Sequence, residues 1–520
     1  MSKIWAALPL LAFDLKDPVP ASLHWALIPE NLLPLPTLSL ARQMLLVEND
    51  GETLFFFGKL QMIALSILLG IFIYAASKNL FGLEAAVAAI FIYALDPNVL
   101  AHSQIVHTDV PFAAFFFIST YFFWRTLGRF HWRDLFLTSL FFALATITKY
   151  SAVAILPIWL ILGLAKLFLA EPADADSGGA TAPNRREKAI ELAGVLCAAA
   201  VTAYIFTWAV YGFRFNAVPG GSAPLHIDWV TPPEKTLLHA VANFITVHRL
   251  FPEAWIYGQL YTLKYLQRDS FLLGQFSFDG FWSYFPVAFV VKTPLPTLIA
   301  VVIGLILLGR GRLNKMNGLL LLIPAIVYFS FAIWSRANIG FRYILPIFPF
   351  LFVLAGGAVA ELWKSEGWAK RGVVVLALWS LGSCWATYPH YLAFFNELVG
   401  GPKNGHKVLL DSNLDWGQDL KGLKRWMDAR GIKQIRFLYF GGIDPEYYGI
   451  EASYLLGSWV GFDRPDARNR ATPEYAALSA HLLYGPQRND SFVRRFKGRQ
   501  PVATIGHSIL IFKVDEGGNR

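Results

Sequence analysis

The stretch DVPFAAFFFISTYFFWRTLGRFHWRDLFLTSLFFALATITK, residues 109–149, indicates the fold class most clearly. Two apolar runs flank a short connection that carries Arg125, Arg129 and Arg133. Each run is about long enough to cross a bilayer hydrocarbon core of roughly 30 Å. The stretch therefore predicts two transmembrane helices joined by a short basic loop.

The same pattern recurs along the chain and predicts ten spans. Their boundaries are about 58–77, 83–97, 110–127, 134–149, 152–170, 189–211, 289–309, 317–335, 343–363 and 372–389. Short basic loops alternate with connections that carry isolated charges or long polar segments. Because Lys and Arg are enriched in cytoplasmic loops, we expect the basic loops to face the cytoplasm and the other connections to face outward.

The composition is that of a membrane protein. The 520 residues are 55% hydrophobic and 15% aromatic, and the mean hydropathy of +0.45 lies outside the range of soluble domains. The predicted cytoplasmic loops account for much of the net charge of +9, so we expect membrane lipids as partners and no nucleic acid. Cys197 and Cys384 lie in apolar runs, which predicts ordinary packing and no disulfide or metal site.

The chain divides into three predicted parts. Residues 1–57 read as a partial first extracytoplasmic loop with amphipathic helices. Residues 58–390 form a transmembrane domain of about ten helices, with a large extracytoplasmic loop at 212–288. Residues 391–520 form a small extracytoplasmic α/β domain. The predicted fold class is an α-helical polytopic membrane protein with a C-terminal α/β domain.

Local patterns in the C-terminal part support that α/β prediction. The segments that predict strands are HKVLLDS (406–412), QIRFLYF (434–440) and HSILIFKV (507–514). Residues 418–430, QDLKGLKRWMDAR, predict an amphipathic helix. Asp411, Asp415 and Asp419 recur every four residues, but their spacing does not fit an EF-hand calcium loop. We interpret them as part of a strand, a turn and a capped helix start.

The count of spans raises a question about the N-terminal part. If residues 78–82 are cytoplasmic, residues 1–57 lie outside with no complete span before them. Either this tail crosses the membrane alone, or one further helix precedes Met1. We expect the second arrangement.

Asp109 is the predicted catalytic residue. It follows an outer connection that contains His102, His107 and Thr108, and it opens an aromatic helix. A carboxylate at this position also suits a plain N-terminal cap, because the helix N-terminus carries partial positive charge. The neighbouring histidines at the membrane edge favour a functional acid, since desolvated ionisable groups are costly there.

Three cations stand near span ends on the same predicted face. They are Lys149, Lys292 and Arg342, the last followed by Tyr343. They could be anchors whose charged ends reach the lipid headgroups. Since cations are disfavoured on the outer face, we interpret them as a site that neutralises a phosphate held at the bilayer surface.

Several segments around these residues resemble one protein family. The segments are DPNVLAHSQIVHTDVPFA (96–113), TKYSA (148–152), WSYFPVAFVVKTPLP (282–296), GFRYILPIFPF (340–350) and YPHYLAFFNELVGGPKNGHKVLLDSNLDWGQDL (388–420). In this order they resemble bacterial phospholipid carrier-dependent glycosyltransferases. These are glycosyltransferase family 39-like members of the GT-C superfamily, related to protein O-mannosyltransferases and aminoarabinose transferases.

The resemblance implies an enzyme of the bacterial cell membrane with its active site outside. Such a glycosyltransferase moves a sugar, with inversion, from a polyprenyl-phosphate donor to an acceptor, here an unknown protein, lipid or glycan. Asp109 matches the acid of the family's second outer loop. His102, His107, Lys149, Lys292, Arg342 and Tyr343 become the expected substrate-binding residues. No cofactor is implied, and dependence on a divalent metal stays open.

The N-terminal part departs from the family pattern. The family has an Asp-Glu pair just after a first transmembrane helix, and this sequence shows neither. The acidic residues Asp14, Asp17, Glu30, Glu48 and Asp50 stand in no matching motif. We expect either a longer natural chain or an altered, inactive relative.

Two other functional classes compete with a transferase. A transporter would show paired half-repeats and charges near mid-membrane, whereas the charges here lie at the outer edge. A non-catalytic scaffold would use the C-terminal domain to bind an envelope partner. An enzyme consumes a lipid-linked sugar, a transporter moves a solute unchanged, and a scaffold does neither.

Overall fold

The computed structural model describes residues 2–16, 43–169, 185–217, 227–231, 236–264, 269–454, 473–485 and 491–514. Asp17 and Glu30 lie outside these described residues, as do all residues between Asp17 and Gln43. Parts of the predicted loop at 212–288 are also outside them. All structural statements below concern the described ranges.

The described chain is mainly helical. The α-helices are α1 (Ser2–Ala7), α2 (Gly51–Phe81), α3 (Leu83–Leu95), α4 (Pro97–His102), α5 (Asp109–Thr126), α6 (Trp132–Thr146), α7 (Ile155–Leu169), α8 (Arg185–Val210), α9 (Thr236–Val247), α10 (Glu253–Lys264), α11 (Tyr284–Lys292), α12 (Leu295–Gly309), α13 (Lys315–Ser335), α14 (Phe348–Lys364), α15 (Trp368–Thr387), α16 (Leu420–Asp428), α17 (Ala480–Tyr484) and α18 (Ser491–Arg494). Short 3-10 turns join several of them, among them Tyr150–Ala154, Phe341–Tyr343 and Asp411–Asn413.

Each of the ten predicted spans overlaps one or more helices of the described chain. Within the described ranges, five helical segments are long and apolar enough to cross a membrane, or six if one bent pair counts as a single span. The others are shorter or more polar helices, such as α3 with 13 residues and α6 with 15. A polytopic helical membrane fold is therefore confirmed.

The bent pair covers the span predicted at about 289–309. Its two helices, α11 and α12, meet at an angle of 110°. Thr293 between them is extended, with ψ of 132°, and it precedes Pro294. A residue before proline is pushed out of the helical region by the proline ring, so the chain turns here.

Helix α5 lies at the centre of the helical domain. Every one of its residues except Arg125 is buried, as expected for a helix that is apolar on all sides. Its aromatic rings pack on neighbouring helices: the ring centroids of Phe116 and Phe350 are 5.2 Å apart, and Phe123 stacks on Trp159 at 4.5 Å. This packing fixes the position of the N-terminal end of α5, where Asp109 lies.

A glycine allows α14 to approach α3 closely. A Cβ atom on Gly356 would lie 2.5 Å from the carbonyl oxygen of Ala85 and 2.8 Å from the Cβ of Ala89. Only a residue without a side chain fits at this distance. The two backbones are in direct contact there, and a methyl group would force them apart.

The C-terminal domain contains a five-stranded sheet. Its strands, with those of a separate hairpin at the start, are β1 (Ser270–Leu272), β2 (Gln275–Ser277), β3 (Gln434–Leu438), β4 (Glu451–Tyr454), β5 (Tyr475–Ser479), β6 (Ala503–Ile505) and β7 (Ile509–Lys513). The sheet order is β4-β3-β5-β7-β6. Strand β3 is parallel to β4 and β5, while β7 pairs antiparallel with β5 and β6. The small α/β domain is thus confirmed.

Three of the four local predictions in this domain are confirmed. QIRFLYF and HSILIFKV contain β3 and β7, and QDLKGLKRWMDAR contains α16. The strand predicted for HKVLLDS is wrong, because residues 406–412 form 3-10 turns and irregular chain. Leu409 and Leu410 of this segment are buried in the same core as the membrane helices. The apolar pattern therefore reflects packing between the two domains.

We predict that Gly356→Ala lowers the stability of the protein by about 1 to 3 kcal/mol, the usual cost of an overpacked core. The thermal unfolding midpoint of the detergent-solubilised protein measures this effect. Gly372→Ala in α15 is the matched control, because nothing lies within 4 Å of its added Cβ. The control should be neutral or more stable, since Ala is the better helix former. Equal midpoints for Gly356→Ala and the wild type would contradict the close approach.

Candidate active site

The carboxylate of Asp109 faces two cations at the start of α5. Lys149 Nζ donates a hydrogen bond to Asp109 Oδ1 at 2.5 Å, and Arg342 Nη1 lies 3.3 Å from Asp109 Oδ2. Only 1% of the Asp109 side chain is exposed, against 14% for Lys149 and 19% for Arg342. The sequence alone left a plain capping role open, but here both carboxylate oxygens are engaged by cations. The cluster carries a net charge of +1.

His102 and His107 lie beside this cluster as a neutral pair. The backbone N–H of Asp109 donates to His107 Nδ1 at 2.8 Å, and His107 Nε2 lies 3.2 Å from His102 Nδ1. Burial lowers the pKa of His107 to about 4 and that of His102 well below its usual value. Asp109 Oδ2 lies 3.2 Å from His107 Nδ1, so protonation of the His107 ring would create a further ion pair with Asp109.

Aromatic rings frame the two cations. Lys149 Nζ lies 4.7 Å from the ring centroid of Tyr343. The guanidinium of Arg342 lies 4.9 Å from the ring of Trp416, whose edge also meets His107 at 5.5 Å. Cations over aromatic faces are attracted by the ring quadrupole, which helps to hold both charged groups in place.

The predicted site residue Lys292 is not part of this cluster. Its side chain is only 2% exposed, and its Nζ donates to the backbone carbonyls of Leu392 at 2.8 Å and Asn413 at 2.7 Å. The ammonium also lies 4.6 Å from the ring of Phe395. Lys292 therefore joins α11 to the beginning of the C-terminal domain, and its side chain is occupied there. The structure brings together the other six predicted residues: Asp109, His102, His107, Lys149, Arg342 and Tyr343.

The segment Asp411–Trp416 of the C-terminal domain contributes residues that the sequence did not single out. Ser412, Asn413 and Trp416 all contact Arg342 or its immediate neighbours. The signal for them was their place in the family-like segment 388–420, because the local pattern of a polar run after residues 408–410 predicts only a strand followed by a turn.

A cavity of about 420 Å³ adjoins the cluster. Thr108, Lys149 and Tyr343 are among the residues that line it. Apolar side chains such as Val153 and Phe331 line much of the rest, and α10 and α13 form two of its walls. Its volume lies within the usual range for small-molecule sites, and a cation in the lining of a largely apolar cavity suits an amphipathic anion.

The acidic loop after Asn413 is anchored to the sheet. Ser479 donates to Asp415 Oδ2 at 2.5 Å, and Ser508 donates to Asp419 Oδ2 at 2.6 Å. These two bonds tie both ends of the Trp416 loop to β5 and to the turn before β7. In the part of the chain that the structure describes, no group of three or more His, Cys, Asp or Glu side chains is arranged to hold a metal ion.

A family model described as dolichyl-phosphate-mannose-protein mannosyltransferase matches residues 39–172, a range that includes Asp109 and Lys149. This match confirms, at the level of the GT-C superfamily of glycosyltransferases, the resemblance found in the sequence motifs. Comparison with curated protein sequences gives no match.

Two solved structures are similar to the chain. The apo-state crystal structure of ArnT from Cupriavidus metallidurans is 14% identical, with 91% of this chain and 86% of that chain covered and a TM-score of 0.44. The oligosaccharyltransferase AglB from Archaeoglobus fulgidus, in complex with an inhibitory peptide and a dolichol-phosphate, is 13% identical. That comparison covers 86% of this chain and 61% of the other, with a TM-score of 0.38. At these values neither structure defines the role of a residue here.

We predict that Asp415→Asn flattens the pH dependence of stability. Burial raises the pKa of the Asp415 carboxyl to about 7, whereas an unfolded chain releases this proton near pH 4. The protonated form thus contributes stability in full below about pH 4, and this contribution is lost as the pH rises through about 7. Thermal unfolding between about pH 5 and 8 should show a smaller decline for Asp415→Asn than for the wild type.

The matched control is Asp428→Asn, which removes an exposed carboxylate that pairs with Lys424. It should leave the pH profile of the unfolding midpoint unchanged. Identical profiles for Asp415→Asn and the wild type would contradict a raised pKa at Asp415.

Proposed function

We propose that this GT-C superfamily glycosyltransferase moves a sugar from a polyprenyl-phosphate-linked donor to an acceptor on the extracytoplasmic face of a bacterial cell membrane. The observation that carries the proposal is the meeting of Lys149 and Arg342 on Asp109, next to a largely apolar cavity of about 420 Å³. Two cations beside a cavity with largely apolar walls suit a lipid that carries a phosphate group.

The donor phosphate is assigned to the two cations. Arg342 presents a planar fork of donors and Lys149 a compact charge, which are the two common ways in which proteins bind phosphate. As the sugar leaves, negative charge grows on the phosphate oxygen, and fixed cations in a site with little water stabilise it strongly. The cluster has a net charge of +1, which attracts this anion even while Lys149 and Arg342 are still paired with Asp109.

The isoprenoid tail is assigned to the cavity beside Lys149. Val153, Phe331 and Ala332 supply apolar contacts there, while Tyr328 places its hydroxyl 3.2 Å from the Ser151 hydroxyl. The cavity holds only the first part of a long polyprenyl chain, and the remainder extends into the bilayer. The phosphate would then lie at the Lys149 end, close to the outer membrane surface.

Asp109 is the proposed base of the reaction. While both of its oxygens hold cations, its charged form is stabilised and it is a weak proton acceptor. A donor phosphate competes for Lys149 and Arg342 and so releases the carboxylate. Asp109 then accepts the proton of the acceptor hydroxyl, whose oxygen bonds to the anomeric carbon as the carbon–oxygen bond to phosphate breaks. The phosphate departs with the bonding electron pair.

We predict that Asp109→Asn reduces sugar transfer at least about a hundredfold, the usual contribution of a positioned general base. Transfer from a synthetic polyprenyl-phosphate sugar by the purified protein in vesicles measures this. Membrane expression and the elution profile should match the wild type, because the amide keeps the shape of the carboxylate. Wild-type activity of the variant would rule out the catalytic role of Asp109.

We also predict that Lys149→Gln raises the donor KM about tenfold or more, while the acceptor KM stays nearly constant. The reason is the loss of one charge-assisted contact to phosphate. Lys407→Gln is the matched control, since Lys407 is exposed and its Nζ bonds the Asn404 side chain 2.9 Å away. An unchanged donor KM in Lys149→Gln would contradict the phosphate assignment.

A further inference from the structure

We propose that the segment Asp411–Trp416, supplied by the C-terminal domain, positions Arg342 on Asp109 and that Lys292 holds this segment in place. The donor-phosphate site is then complete only when the C-terminal domain is docked on the helical domain. The proposal rests on the proposed function, because it concerns one of the two cations assigned to the donor phosphate.

Ser412 makes the direct contact. Its hydroxyl donates a short hydrogen bond to the carbonyl of Ile339 and accepts one from Arg342 Nε at 3.3 Å. A hydroxyl has one proton to donate and lone pairs to accept with, so both bonds are compatible. With Nε held by Ser412, the planar guanidinium directs Nη1 toward Asp109 Oδ2.

Asn413 fixes the backbone on which Arg342 stands. Its Oδ1 accepts from the N–H of Phe341 at 2.8 Å, and its Nδ2 donates to the Tyr284 hydroxyl and the Leu410 carbonyl, both at 2.8 Å. Only 1% of Asn413 is exposed. A buried amide whose donors and acceptor are all paired is held in a single orientation, so Phe341 and Arg342 are held with it.

Lys292 secures Asn413 from the opposite side. Its ammonium bonds the carbonyls of Asn413 and Leu392, and its own carbonyl accepts from Asn98 Nδ2 at 2.7 Å. Lys292 is therefore linked both to helix α4, which contains Asn98, and to the C-terminal segment. Its loss would leave two buried carbonyls without their donor, which is costly for a folded chain.

The close approach of the two domains depends on Gly340. A Cβ on this residue would lie 2.1 Å from Ser412 Oγ. On the other side of Arg342, the ring of Trp416 lies against the guanidinium at 4.9 Å. Arg342 is thus enclosed by Ser412 and Trp416, two residues of the same short segment, and its freedom to leave Asp109 is small.

The test is a double-mutant cycle between Ser412 and Arg342. The measured quantities are the donor KM, kcat and the affinity of the purified protein for farnesyl phosphate. We expect Ser412→Ala to weaken farnesyl phosphate binding and raise the donor KM about tenfold, as for loss of a hydrogen bond to a charged group, with the acceptor KM unchanged. In an Arg342→Gln background the same change should have no further effect, since Arg342 transmits it.

The matched control is Ser383→Ala, which removes a buried hydroxyl that bonds Glu397 far along the chain from Arg342. It should leave farnesyl phosphate binding unchanged. A full effect of Ser412→Ala in the Arg342→Gln background would overturn the proposal, because Ser412 would then act by another route.

A second readout separates this inference from the proposed function. The thermal unfolding midpoints of Ser412→Ala, Asp109→Asn and the double variant need no donor. The positioning role is supported if the midpoint shift of the double variant differs from the sum of the two single-variant shifts, and if this difference disappears when all variants also carry Arg342→Gln. This result supports the role even if farnesyl phosphate fails to bind. Additive midpoints in the presence of Arg342 contradict it. Failure of the wild type to bind farnesyl phosphate would overturn the phosphate assignment alone. Because Ser412→Ala keeps nearly all of the core contacts, we expect it to fold.

Discussion

The buried ion cluster of Asp109 with Lys149 and Arg342 is the interaction on which the candidate site depends. A buried carboxylate is tolerated only when cations or hydrogen-bond donors compensate for its lost hydration. Here the compensation comes from residues 40 and 233 positions away in the sequence, so three separate parts of the chain must meet at one point. The surrounding structure brings these parts together. Aromatic packing fixes α5, and Ser412 and Trp416 of the C-terminal domain hold Arg342.

Much of the helical architecture could be predicted from the sequence, because a bilayer requires long apolar runs and short basic loops leave a clear charge pattern. Asp109, Lys149 and Arg342 were also found this way, since ionisable residues at span ends are conspicuous. Their mutual contacts were not predictable. The position of Lys292 in the sequence is equivalent to theirs, yet its partners are backbone carbonyls, which have no sequence signature.

The C-terminal segment shows a second limit of local patterns. HKVLLDS has the apolar run of a strand, but its leucines are buried in a core that contains residues of both the membrane helices and the C-terminal domain. Tertiary packing overrides local β propensity in such a place. The polar residues that follow look like an ordinary turn in the sequence, and their contacts with Phe341 and Arg342 are visible only in the structure.

The joint between the two domains has a consequence for biosynthesis. A ribosome delivers Asp109 and Lys149 to the membrane long before it has made Ser412 and Trp416, so a growing or truncated chain holds an unfinished cluster with Arg342 unsupported. Under the proposed assignment, such a chain would lack the enclosed Arg342 guanidinium that binds the donor phosphate. Under the proposed function, the donor-phosphate site is therefore complete only after the C-terminal domain has been synthesised and docked, so transfer activity begins with the finished chain.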